Sequence, residues 1–211
     1  MQLYINTRLD AINYVLSCIG LAPVDSEDGY NLDVAQAGGA IDKASRSIQN
    51  NKGRGYWFNR ERNHKLAPDP VTGNVLIPNN AIAVYRFDNY NRLAKIATRG
   101  RALYDTATHG FDMRGLVNSD GYVHLMLVTQ LDFGDLPQTA KDAVAADAGL
   151  KFARGNEMEI NRIKVLSAEA EDAMWGLECE ETTQSQANAF KDSSSMAQFD
   201  AVVGGFNNSI I

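Results

Sequence analysis

A chain of 211 residues and 23.1 kDa can form one domain with a substantial core, or two small ones. Hydrophobic residues make up 45% and charged residues 22%, with eight Tyr, eight Phe and two Trp, which argues against disorder of the whole chain. The net charge of −6 disfavours a generally basic nucleic-acid binder, and no run approaches the ~20 apolar residues a membrane helix needs.

The opening MQLYINTRLDAINY has no basic start followed by an apolar run and does not read as a secretory signal. Thr7, with Asp10 three residues later, imitates a capping box. Leu9, Ile12, Leu16 and Ile19 then recur at helical spacing. Gly20 suits the left-handed residue after a helix, and Pro23 blocks resumption. Residues 21–32 read as a loop. Asp33 is placed to cap a second helix, with Ala37, Ile41, Ala44 and Ile48 as its stripe and Asp42, Lys43, Arg46 and Gln49 opposite. Gly38 and Gly39 each weaken that helix by about 1 kcal/mol relative to Ala, or else permit close approach of another helix. Gly53 or Gly55 ends it, and the two helices are expected to pair antiparallel.

From Tyr56 the period changes. RGYWFNRERNHKL opens an aromatic, alternating segment, and Ala81–Phe87 reads as a strand. Short strands are expected near 94–98 and 102–105, parted by an Arg99-Gly100 turn. Leu116-Val117 and residues 122–131 complete the set, joined by a turn at Asn118–Gly121. Strands so short and close suggest an antiparallel meander. Asp135, Leu136 and Pro137 then suit a helix start, with Asp135 as cap and Ala140, Val144, Ala148 and Phe152 on one face. Gly155 and Asn156 break the chain. A long helix over about 157–185 has Ile160, Ile163, Leu166, Ala170, Ala173 and Leu177 as its stripe, with Met174 and Trp175 at the stripe's edge.

The predicted fold is α+β: two helical hairpins closing as a four-helix bundle, an inserted small antiparallel β subdomain and an extended C-terminal arm. The boundaries are 1–55 for the first hairpin, 56–134 for the β subdomain, 135–187 for the second hairpin and 188–211 for the arm. The arm has linker-like Ser193–Ser195 and Gly204-Gly205. Yet Phe199, Phe206, Ile210 and Ile211 make it too apolar for a solvated tail. It packs on its own domain, or it orders on a neighbouring subunit or partner.

Charge is unevenly spread. Residues 1–100 carry 12 basic and 9 acidic side chains, whereas residues 101–211 carry 8 and 17. The basic run over 40–65 includes Lys43, Arg46, Lys52 and Arg54. The acidic run over 157–181 has eight acids, Glu169 and Asp172 among them, against Arg162 and Lys164. Such runs are either solvated faces or complementary edges that orient association of copies.

Signatures of catalysis are scarce. Nucleotide, zinc-protease and serine-hydrolase motifs are missing, and Cys18 and Cys179 are far apart, reading as two reduced, packed thiols of a chain made in a reducing cytoplasm. His64, His109 and His124 lack metal-ligand spacing, so no cofactor or metal is expected. Asp132 and Asp135 could serve as a glycoside-hydrolase pair, and a glycan-cleaving hydrolase is the alternative function. Arg54, Tyr56, Trp57, Phe58, Arg60 and Arg62 suggest single-strand nucleic-acid stacking, or an anchor between sheet and helices whose ring edges the arginines cover.

Several stretches in fixed order carry a resemblance. They are Ala11–Gly29 (AINYVLSCIGLAPVDSEDG), Asp33–Asn59 ending in Trp-Phe-Asn, Leu76–Pro78, Thr98–Asp105 (TRGRALYD), Leu127–Ala153 with its acidic turn and Leu-Pro, and Ala168–Trp175 (AEAEDAMW). Together, over roughly residues 7–180, they resemble the tail tubular protein A family, the adaptor or gatekeeper proteins of short-tailed bacteriophages. Gly38-Gly39 and the arm depart from it. The resemblance implies a non-enzymatic structural protein of the virion tail, made in the host cytoplasm. Twelve copies would form a ring joining the portal protein to the tail nozzle protein, with double-stranded DNA passing through the lumen without specific recognition and no membrane involved. Candidate contact residues are Lys43, Arg46, Lys52 and Arg54 on one edge, Glu169 and Asp172 on the other, and Phe199, Phe206, Ile210 and Ile211 on the arm.

Overall fold

The computed structural model describes residues 5–27, 31–87 and 96–189. Its elements are α1 (Arg8–Cys18), α2 (Leu32–Asn50), β1 (Arg60–Leu66), β2 (Ala81–Arg86), β3 (Ile96–Arg99), β4 (Ala102–Asp105), β5 (Val123–Thr129), α3 (Gln138–Gly155) and α4 (Ile160–Ala189). The class is α+β, with four helices and two small antiparallel sheets. Among the described residues, no helix is long and apolar enough to cross a membrane.

The capping box at α1 forms as its spacing predicts. The Asp10 N–H donates to Thr7 Oγ1 at 3.1 Å, and the Thr7 N–H donates to the Asp10 carboxylate at 2.8 Å. The bonds its carboxylate accepts, from the Thr7 N–H first, hold the Asp10 carboxyl below its usual range. At α2 the cap is Asn31 rather than Asp33, its side chain accepting from the Asp33 N–H at 3.0 Å. Asp33 lies inside the first turn, where its charge favours the N-terminal end of the helix dipole. The expected stripe of α2 is buried. The helix stops before either glycine, because Asn51 and Lys52 adopt φ of 40° and 55°.

Helix α3 is the hub, packed against α1, α2 and α4. Ala140, Val144, Ala148 and Phe152 are buried. Asp135 does not cap it; Asp135 is exposed in a 3-10 turn over Phe133–Asp135, and Pro137 takes the cap position without a side-chain bond. In α4, Leu166, Ala170 and Leu177 are buried, but Ile160 at the helix start is 64% exposed. Trp175 is 70% exposed rather than at the stripe's edge. Two residues turn a helix by about 200°, so a Trp two positions before the buried Leu177 faces outward. Cys179 shares that outer face and is exposed, so only Cys18 is a packed thiol. Helix α4 continues to Ala189, past the expected start of the arm. The arm residues Phe199, Phe206, Ile210 and Ile211 lie outside the described residues, as do residues 94–95 of the expected third strand.

The sheet is not a meander. Its order is β1-β5-β2, both pairs antiparallel, and β3-β4 form a separate hairpin across Arg99-Gly100. The last strand takes the centre because Val123, Leu125 and Leu127 alternate onto one fully buried face. Val75, Ile77, Leu103 and Met113 cover that face. Leu116-Val117 is no strand: residues Arg114–Leu116 make a 3-10 turn, and the Asn118–Gly121 turn leads straight into β5.

Candidate assembly surface

Two buried amides weld the helices to the sheet. Asn59 donates to the Gln49 and Thr129 carbonyls at 2.9 and 3.0 Å and accepts from the Tyr56 N–H at 2.7 Å. Gln49 donates to the Leu131 carbonyl and to Ser45 Oγ, and accepts from the Leu131 N–H at 2.7 Å. The segment before β1 therefore cannot shift against α2 without breaking several buried hydrogen bonds at once.

The aromatic triplet is part of the same weld. Tyr56 is buried and stacks on Phe58 at 5.7 Å, while Trp57 meets both rings edge-on, and all three pack on the helical core. Tyr56 is thus engaged in the core, while Trp57 and Phe58 are half-buried at the joint between sheet and helices. Helix α4 clamps the segment from outside. Glu178 accepts from the Tyr56 hydroxyl at 3.0 Å, and Glu181 accepts from the Trp57 N–H at 2.7 Å and pairs with Arg60 at 3.0 Å. Burial first, then the Glu178 contact, raise the Tyr56 hydroxyl above its ordinary range. Nothing in the spacing of the acidic run separates these inward-turned acids from the others. The buried tyrosine they serve is the only pointer.

The charged candidates now divide. Lys43, Arg46, Lys52 and Arg54 are all exposed, with Arg46 donating to Gln130 Oε1 at 3.1 Å. Glu169 accepts from the Tyr14 hydroxyl at 3.1 Å, and Asp172 is exposed. Glu180 binds the Thr139 hydroxyl at 2.5 Å. Gly38 makes room for a side chain, not for a helix: a Cβ there would lie 3.2 Å from Arg8 Nη2, and Arg8 pairs with Glu27 and Asp42. Gly39 is open and lines a groove with Ala40, Lys43, Phe152 and Gly155.

The two carboxylates of the glycan reading do not line one cleft. Both are exposed, and Asp132 lines a shallow cleft beside Arg8 and Asp42 to which Asp135 does not contribute. The histidines have structural partners: His64 pairs with Glu61, and His124 and Lys65 share Asp120, each at 2.8 Å. His109 is exposed in a turn.

A search of curated proteins finds no match. The family model described as tail tubular protein matches residues 9–199, which extends the likeness past residue 180 and into the arm as far as Phe199. A match over nearly the whole chain settles the membership: the chain belongs to the tail tubular protein family and is a structural protein of the phage tail.

Proposed function

We propose that copies of this chain form a closed ring, of twelve subunits, that adapts the portal to the tail nozzle and serves as the conduit for the genome. The four helices act as two hairpins of a bundle and supply a rigid wall. The β subdomain, with its loops, meets the nozzle, and the arm and bundle end meet the portal. Subunits pack side by side in heterologous contacts, which close when the rotation between neighbours divides a full turn. A net charge of −6 suits a lumen that avoids tight phosphate contacts and lets DNA slide.

The observation that carries this reading is the family match, joined to a helical layer with exposed cations on α2 and exposed acids on α4. Electron microscopy of the protein mixed with portal rings from the same phage tests it. A regular collar on one end of each portal is expected. Portals left bare at saturating protein would overturn the reading.

A further inference from the structure

Helices α2 and α4 lie on different sides of α3. Helix α3 turns Ala146, Leu150 and Ala153 toward Leu166 and Ala170 of α4. Phe152 and Gly155 line the groove beside Gly39 and Ala40 of α2. Helices α2 and α4 also run in the same direction. Thr139 at the start of α3 bonds Glu180 near the far end of α4, so these two are antiparallel. Ala40 sits by Phe152 while Gln49 holds Leu131, just before α3 begins, so α2 is antiparallel to α3 as well. Counted along α3 from these contacts at about 1.5 Å per residue, Glu171 and Asp172 stand within about one turn of the level of Lys43 and Arg46. Trp175 is level with Arg46, and Val165 with the groove.

The outer face of α4 is unlike an ordinary solvated face. From Val165 to Gln184 the helix carries six acids and no Lys or Arg; Glu169, Glu178, Glu180 and Glu181 bond to other elements, which leaves Glu171 and Asp172 on the outer face, with exposed Lys164 about three turns before Trp175. Glu171 and Asp172 are exposed one turn from the outward Trp175, and Val165 is half exposed. An exposed Trp beside a pair of exposed acids has the make-up of an aromatic anchor at an interface.

We propose that this face seats on the α2–α3 flank of a second copy. Trp175 lies over the Arg46 guanidinium, Glu171 and Asp172 meet Lys43, and Val165 enters the groove floored by Gly39. The occupant is a second copy because one chain carries both halves, with opposite charge, at one level and with parallel helices. A rotation without rise then brings every α4 to the next α2. A guanidinium over an indole adds a cation–π attraction. The inference rests on the ring reading and names its lateral contact.

The test uses the full chain in sedimentation equilibrium up to about 1 mM, where even a millimolar contact is populated. Self-association of the unmodified chain is expected. The K43E/R46E and E171K/D172K variants, all at exposed positions, should each associate at least about tenfold more weakly. An equimolar mixture of the two should recover the affinity, because each then offers the other a complementary face. Trp175→Ala should weaken association by a similar factor. An unmodified chain that stays monomeric, or variants that associate normally, overturn the contact. Collars formed on portals by K43E/R46E protein would sink this contact while leaving the ring intact; bare portals with the unmodified chain would sink both.

Discussion

Asn59 has a side chain of only four heavy atoms beyond Cα, yet it ties the end of α2 and the turn at Tyr56 to the end of β5, 70 residues further along the chain. It is 1% exposed, and its amide satisfies carbonyls from α2 and from the end of β5 while accepting from the Tyr56 N–H. Removing it strands those groups away from water. Asn59→Ala is therefore expected to cost about 2–4 kcal/mol in urea denaturation. A loss under about 1 kcal/mol would mean that water or a relaxed backbone replaces it. Cys18 makes a second test at this scale. Burial pushes its thiol from about 9 up to about 11, with Arg162 opposing the shift. Between those values the unfolded chain has released the proton and the folded chain has not. The contribution is thus full below pH 9 and lost as pH rises through 11, by roughly 2–3 kcal/mol in all. The stability difference between the natural chain and Cys18→Ala should shrink from pH 8 to pH 10.5. A constant difference would show that the thiol does not titrate in this window.

At the scale of elements, α1 and α3 approach closely because Gly149 has no side chain. A Cβ there would sit 2.8 Å from Cys18 Sγ, deep in the core and with little room to yield. Gly149→Ala gains helix propensity of about 1 kcal/mol but loses more to overpacking, so a net loss of about 1–2 kcal/mol is expected. In a Cys18→Ala background the clash with sulfur disappears. The double variant should then be more stable than the sum of the singles by about 1 kcal/mol, and additivity would place the strain elsewhere. These helices were legible from the sequence because their packing follows a local 3.6-residue period, as with Ala140, Val144, Ala148 and Phe152. The sheet was not. That β5 pairs with both β1 and β2 depends on contacts some sixty residues apart for β1, which no local alternation encodes. Local competition misled too, where Asn31 rather than Asp33 won the cap. The candidate surface was half legible. Exposure of Lys43 and Arg46 follows from their place opposite the α2 stripe, whereas the inward turn of Glu178 and Glu181 is set by Tyr56 and Arg60, more than 120 residues away in the chain.

At the scale of the whole molecule, the proposed ring asks that what holds one subunit together be separate from what joins it to others. The largest buried side chains end at Leu177 among the described residues. The segment 190–211, outside the described residues, adds Phe190, Phe199, Phe206, Ile210 and Ile211 to the chain's apolar inventory. If its work is to dock on the portal, deleting 190–211 should leave the subunit's melting temperature within about 2 °C, because less than about 0.5 kcal/mol of folding energy is removed. Lateral association through α4 and α2 should also survive, since Trp175, Lys43 and Arg46 remain. Binding to isolated portal rings should fall by at least about a hundredfold, given the number of apolar side chains withdrawn from that contact. Thermal denaturation, sedimentation and a portal pull-down on one preparation separate the three. A truncated chain that still docks would assign the portal contact to the helix ends. One that docks normally but melts much lower would return the segment to its own subunit's core.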